Sequence, residues 1–190
     1  EVRAMASGLA ELGFKRGDNL AIIGANRPRL YWAMCAAQCL GGVPVPLYQD
    51  AVAAEMVFVL QDAGIKFAIV EDQEQVDKLL ENMAQCPGLQ HILYDDPRGM
   101  RHYNQPFLHG LDEVQEMGRI HNRNHPEFLD GEIEQGKPDD VAVMLYTSGT
   151  TGKPKGVCQT HAAFIAAAQS GCEFDKLVPE DNILSYLPMA

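Results

Sequence analysis

Four short apolar runs separated by helix-period segments constrain this chain more than any other feature. The runs are residues 19–24 (NLAIIG), 43–47 (VPVPL), 66–70 (KFAIV) and 90–94 (QHILY). Ahead of the first, Val2, Met5, Leu9 and Leu12 recur at helical spacing and Gly13 supplies a stop, so residues 2–12 read as a helix. Asn26 suits a cap for a second helix with Pro28 in its first turn and Gly41-Gly42 at its end. Asp50 suits a cap for a third that runs through Leu60 and closes near Gly64, and residues 73–84 form a fourth. Short strands alternating with helices over short connections predict an α/β fold, a mainly parallel doubly wound sheet with flanking helices. Pro44 and Pro46 place their run at a sheet edge or a strand end, because proline offers no N–H to a ladder.

The rhythm breaks at residues 95–138, which hold four of the six histidines, many charges and four prolines. We read them as a surface excursion with one helix near 111–119. His121 and His125 stand four apart, as helical metal ligands can, but the asparagines and Pro126 around them favour surface histidines. Cys35 and Cys39 share a helical face with Trp32 and Ala36 and are expected in the core. The acidic run Glu71, Asp72, Glu74 and Asp77 reads as a solvated helix start, where negative charge suits the helix dipole.

Fifteen Lys and Arg against twenty-six Asp and Glu give a net charge of −11. A chain so acidic repels nucleic-acid backbones, and it has no polybasic stretch to hold an anionic membrane surface. The long uncharged stretch 30–48 is broken by Gly, Pro and Gln, so no transmembrane segment is expected. Five cysteines at irregular spacing, without a CxxC pair, suit a reduced cytoplasmic setting. The chain starts at Glu1 within a helical pattern and stops at Ala190 within a strand-like one, which suggests a piece of a longer protein.

Against this acidity, residues 141–172 contain no Asp or Glu. Residues 141–147 (VAVMLYT) read as a strand, residues 155–160 (KGVCQT) as a second, extended antiparallel to it, and 160–171 as an alanine-rich helix. Between the strands lie Ser148, Gly149, Thr150, Thr151, Gly152, Lys153 and Pro154. Glycines permit a sharp bend, while hydroxyls, backbone N–H groups and ammonium groups suit a polyphosphate. The loop is neither a Walker A loop, since Gly149 and Gly152 stand too close and Pro154 follows Lys153, nor a G-x-G-x-x-G fingerprint. His161, at the start of the helix, either approaches the phosphates or serves in capping and packing.

The string 146–156, YTSGTTGKPKG, resembles the signature of the acyl-adenylate-forming (AMP-binding) superfamily of acyl-CoA synthetases, adenylation domains and luciferases. The flanking Asp139-Asp140-Val141-Ala142, Thr160-His161, the stretch 41–48 (GGVPVPLY) and the closing 186–190 (YLPMA) are similar to that family too. Val70-Glu71-Asp72-Gln73-Glu74-Gln75 with Lys78-Leu79-Leu80 resembles the long-chain fatty acyl-CoA synthetase branch. Cys158 and Gln159 depart from the family's more usual apolar strand pair.

The resemblance implies that the chain is part of the large N-terminal domain of a ligase, with the C-terminal domain and its catalytic lysine absent. ATP, Mg²⁺, a carboxylic acid, preferably a long-chain fatty acid, and coenzyme A are then its reactants. Residues 146–156 would be the phosphate loop. By resemblance Thr147, Ser148, Gly149, Thr150, Thr151 and Gly152 wrap the β- and γ-phosphates, Lys155 neutralises charge, and Lys153 stands at a more tolerant position. Thr151 and Lys155 are the residues expected to act on the reaction itself. An aryl-CoA ligase, an amino-acid adenylation domain and a non-catalytic nucleotide-binding module are the alternatives. Peripheral membrane association is compatible with all of these readings, and the fragment alone is expected to be inactive.

Overall fold

The computed structural model describes residues 1–147 and 154–182. Five parallel strands, β1 (Asn19–Ile23), β2 (Val43–Leu47), β3 (Phe67–Val70), β4 (His91–Tyr94) and β5 (Leu108–Gly110), form one sheet in the order β2-β1-β3-β4-β5. A separate antiparallel ribbon pairs β6 (Val141–Thr147) with β7 (Lys155–Thr160). The helices are α1 (Val2–Glu11), α2 (Pro28–Cys39), α3 (Ala53–Asp62), α4 (Gln73–Asn82), α5 (Leu111–Asn124), α6 (Phe128–Glu134) and α7 (His161–Asp175).

Strand residues alternate between two cores, as a sheet covered on both faces requires. Leu20, Ile22, Phe67, Ile69 and Leu93 pack with Met5, Leu9, Leu30, Ala33 and Val114 of α1, α2 and α5. Ala21, Ile23, Ala68, Val70 and Ile92 face the other way, against Met56, Leu60, Val76 and Leu79 of α3 and α4. Each large side chain buried this way contributes about 1.5–3 kcal/mol before conformational entropy is charged against it.

Local chemistry corrects two predicted caps. Helix α2 begins at Pro28 with Arg27 as its N-cap, and Asn26 instead accepts a hydrogen bond from the Tyr31 hydroxyl. Helix α3 begins at Ala53, beyond Asp50, with Val52 at the cap and no side-chain cap bond. By contrast, Asp72 does cap α4, accepting from the Gln75 amide. Its neighbour Glu71 is not solvated as expected. The Glu71 carboxylate is 12% exposed and takes hydrogen bonds from the Ala25 amide and from Arg27 Nε.

The larger correction concerns residues 95–138. They are no surface excursion: they supply β5, which adds to the sheet beside β4, and α5 and α6. Helix α5 lies along α1 and buries Leu111 and Val114, and Leu129 of α6 is fully buried. The helix also runs through Asn122 and ends at Asn124, since the chain meets Pro126 only beyond its end. Cys35 departs from the expected core position too. The α2 face turned to the sheet is Leu30, Ala33, Ala36 and Ala37, so Cys35 is exposed and Cys39 only partly covered.

At the other edge, the Val43 amide donates to Asp18 O, so alternate amides of β2 point toward β1. Pro44 and Pro46 then occupy the positions whose N–H groups would point outward. β6 packs along β2 without joining its ladder. No helix among the described residues is long and apolar enough to cross a membrane.

Candidate functional site

β6 and β7 form the antiparallel hairpin expected around the loop. Thr147 pairs with Lys155, Tyr146 with Gly156 and Leu145 with Val157. Ser148, Gly149, Thr150, Thr151, Gly152 and Lys153 lie outside the described residues. The structure therefore brings together two of the expected site residues, Thr147 and Lys155, as exposed cross-strand partners at the loop end. Directly opposed strand residues have Cβ atoms about 4.5–5.5 Å apart, so one small ligand group can meet both side chains.

The two faces of the ribbon differ. Met144 and Tyr146 pack against the second core, and Ala142 is buried. Thr147 and Lys155, each one position on, project to the opposite face. Opposite Tyr146, a side chain at Gly156 would meet Met144 Sδ at 3.1 Å and Tyr146 Cζ at 3.2 Å, so glycine leaves room for the ring. The Tyr146 hydroxyl donates to Asp62 Oδ2 at 2.6 Å. Burial, then that carboxylate, pushes the Tyr146 phenol above its ordinary ionisation range. At the base of the hairpin, Gln38 Nε2 donates to Ala142 O at 2.8 Å. Sequence reasoning missed Asp62 and Gln38, because nothing in a helix-terminal Asp or a helical Gln announces a partner about a hundred residues away.

His161 stands away from Thr147 and Lys155. Thr160 pairs with Val141, at the end of the hairpin remote from Thr147 and Lys155. Five strand steps separate Lys155 from Thr160, about 17 Å at the usual rise. The first amides of α7 are also occupied: His161 N donates to Asp140 O, Ala162 N to Pro138 O and Ala163 N to Thr160 Oγ1. Of the two roles weighed for His161, the structure favours tying the helix start to the chain ahead of β6.

The crevice where doubly wound sheets usually take ligands lies at the carboxyl ends of β1 and β3, where the strand order reverses. Here the protein's own ions fill it. Arg27 pairs with Glu71 at 2.7 Å, and Arg29 with Asp95 at 3.1 Å and Asp112 at 2.6 Å. Burial pushes the Asp95 carboxyl up, against the pull of both arginines. A Cβ on Gly24 would come within 2.7 Å of Glu71 Cβ, so the closure is tight. As for metals, the rings of His121 and His125 stand 4.7 Å apart, but His121 Nδ1 is already bonded to Glu11. No group of three or more His, Cys, Asp or Glu among the described residues is arranged to hold an ion. What is open is the loop end of the hairpin, at Thr147 and Lys155. It offers a hydroxyl and an ammonium group within an acid-free stretch, which suits an anion rather than a cation.

The model of the AMP-binding enzyme family matches residues 1–190. The long-chain-fatty-acid–CoA ligase ACSBG1 of Homo sapiens is 28% identical over 193 residues, covering 99% of this chain and 26% of that protein. Fatty acyl-CoA synthetase A of Dictyostelium discoideum is 30% identical over 196 residues, covering 98% of this chain and 27% of the relative. The chain thus spans about a quarter of the length of the curated relatives it matches. Among solved structures, the inhibitor-bound N-terminal domain of FACL13 from Mycobacterium tuberculosis superposes with a TM-score of 0.77 at 28% identity, over 99% of this chain and 42% of that one. The long-chain-fatty-acid–CoA ligase FadD1 from Archaeoglobus fulgidus shares the fold with a TM-score of 0.80 at 22% identity, over 99% of this chain and 34% of that one.

Proposed function

The chain belongs to the AMP-binding enzyme family, and from that premise we propose that it is part of a ligase that activates a long-chain fatty acid with ATP and passes the acyl group to coenzyme A. The observation that carries this reading is the hairpin that sets Thr147 opposite Lys155 on its exposed face, around the acid-free string 146–156. In the first half-reaction a carboxylate oxygen bonds to the α-phosphorus of ATP while the bond to pyrophosphate breaks, giving acyl-AMP. In the second, the thiol of coenzyme A bonds to the acyl carbon, AMP leaves, and the thiol proton is released.

The loop's contribution is positioning and charge neutralisation, which dominate phosphoryl chemistry. Thr147, Ser148, Gly149, Thr150, Thr151 and Gly152 would donate hydroxyl and amide hydrogens to the β- and γ-phosphate oxygens. Lys155 would neutralise the pyrophosphate as it leaves, with Lys153 contributing less. Mg²⁺ is a hard cation that seeks anionic oxygen, and this loop carries no carboxylate. Its residues fit the phosphates, so the ion would be held chiefly through the nucleotide. Support for a long acyl chain comes from the relatives, one named for long-chain fatty acids and the other for fatty acyl groups, and from the resemblance at residues 70–80.

The deciding experiment is exchange of labelled pyrophosphate into ATP by the full-length protein that carries this sequence, across fatty, aryl and amino acids. Exchange driven by palmitate supports the proposal. Exchange with only aryl or amino acids moves it to those alternatives, and none with any acid reduces the chain to a nucleotide-binding module. The 190-residue chain alone, given ATP, Mg²⁺, coenzyme A and palmitate, should form no acyl-CoA.

A further inference from the structure

The hairpin is a two-stranded ribbon outside the five-stranded sheet, and ribbons of that size hold a fixed place only when something anchors them. Its base is tied by Gln38 to Ala142 O and by the α7 amides to Pro138 and Asp140. At its loop end the side chain that reaches back is Tyr146, through its hydroxyl, to Asp62. Asp62 is the last residue of α3, and that helix end is itself fixed, since Asn19 Nδ2 of β1 donates to Ala63 O at 2.6 Å. A continuous path therefore runs from the first strand of the sheet, through the end of α3, to the residue next to Thr147 and across from Gly156.

We propose that Asp62 is a positioning residue for the phosphate-binding hairpin: by accepting the Tyr146 hydrogen bond it sets where Thr147 and Lys155 stand relative to the sheet. This rests on the adenylation reading for what the hairpin binds, but not for the anchor itself. Alternation along the strand gives the mechanism. With the Tyr146 side chain pinned inward, the residues at 147 and 155 are turned outward together, so a shift of the ring carries both with it. Asp62 is exposed and far from the outward face, so its loss should loosen the hairpin without emptying a core.

The test uses the full-length protein and four variants: Asp62→Ala, Tyr146→Phe, the double variant, and Asp62→Asn, which keeps an acceptor. With palmitate saturating, Asp62→Ala and Tyr146→Phe should each raise KM for MgATP about three- to tenfold, the value of one partly exposed hydrogen bond. KM for the fatty acid should hold, and the double variant should be no worse than either single one. Asp62→Asn should restore most of the ATP affinity. An unchanged KM for MgATP in both single variants of an active enzyme overturns the proposal and leaves adenylation standing. The second readout needs no activity. In an alkaline absorbance titration Tyr103, bonded to Asp77, and Tyr146 should both ionise late, and the step that vanishes in Tyr146→Phe should move down in Asp62→Ala. If no acid supports pyrophosphate exchange, the functional reading fails and this titration decides the anchor. If the late step that Tyr146→Phe abolishes stays in place in Asp62→Ala, the anchor is overturned.

Discussion

Gly8 and Gly118 face each other where α1 crosses α5, so closely that the two backbones touch. A Cβ on Gly118 would lie 1.7 Å from Ala4 O and 2.6 Å from Gly8 N, and one on Gly8 would lie 2.1 Å from Val114 O. All three obstacles are backbone atoms, which cannot rotate away. The contact fixes α5 against the first helix, and with it the β5 strand that precedes it.

Gly118→Ala should therefore destabilise the protein despite alanine's better helix propensity. Overpacking of this kind costs about 1–3 kcal/mol, or more where backbone must part. In a chain of this size each kcal/mol lowers Tm by about 2–4 °C. Gly131→Ala, in α6 with open space around it, should instead leave stability unchanged or raise it by up to about 1 kcal/mol. Thermal unfolding of the two variants checks the difference in sign.

In the full-length protein, Lys155→Met should slow pyrophosphate release about ten- to a hundredfold, the loss of one charge-assisted contact of roughly 1.5–3 kcal/mol. Thr151→Val should slow the same half-reaction, Lys153→Met should do less, and the ranking of acyl substrates should not change. The measurement is pyrophosphate release at saturating fatty acid. If Lys155→Met and Thr151→Val both run at the unmodified rate, the loop is a connector.

Acid should weaken the fold through a pair of imidazoles. His91 Nδ1 and His109 Nε2 lie 3.1 Å apart between β4 and β5, with the His91 ring stacked on Phe67. Burial, then the neighbouring ring, lowers the His91 pKa, and burial lowers that of His109 against the pull of Glu113. Below about pH 6.5 the unfolded chain takes up protons that the folded one resists, so stability falls as pH falls through that region. Above it both states are neutral and the dependence vanishes. Urea unfolding between pH 7.5 and 5.5 should show the decline, and His109→Gln should make it shallower. An equal slope in the variant would refute the assignment.

Thiol labelling should divide the five cysteines. Cys35, Cys158 and Cys172 are exposed and should react quickly, while Cys86 is buried and Cys39 half-covered. Burial pushes both of those thiols up, further reducing the reactive thiolate. A mass shift of three labels before unfolding and five after is expected.

The sheet was legible because its strands are buried on both faces and so read as unbroken apolar runs, such as FAIV at 67–70. The loop was legible because its chemistry is local: ten residues carry the glycines, hydroxyls and lysines. Helix α5 was legible only in part, because much of its packing is done by Gly118, and a glycine in a polar helix gives no hydrophobic signal. Cys35 and Cys39 misled because small apolar residues fill every side of α2 and the neighbouring alanines took the core. The Asp62–Tyr146 link lies 84 residues apart in sequence, and no periodicity reports such a partner.

The paired prolines of β2 have a consequence for the neighbour that lies along them. A strand side with a full row of amides is a template on which another strand can pair. With Pro44 and Pro46 at the outward positions, β2 lacks two of the donors such a ladder would need, so β6 rests against the sheet without being stitched into it. At the far side of the sheet, β5 is only three residues long and offers a second molecule little to hold. Replacing both prolines with valine would restore the missing donors, and the ribbon would then be free to fuse with the sheet it now only leans on.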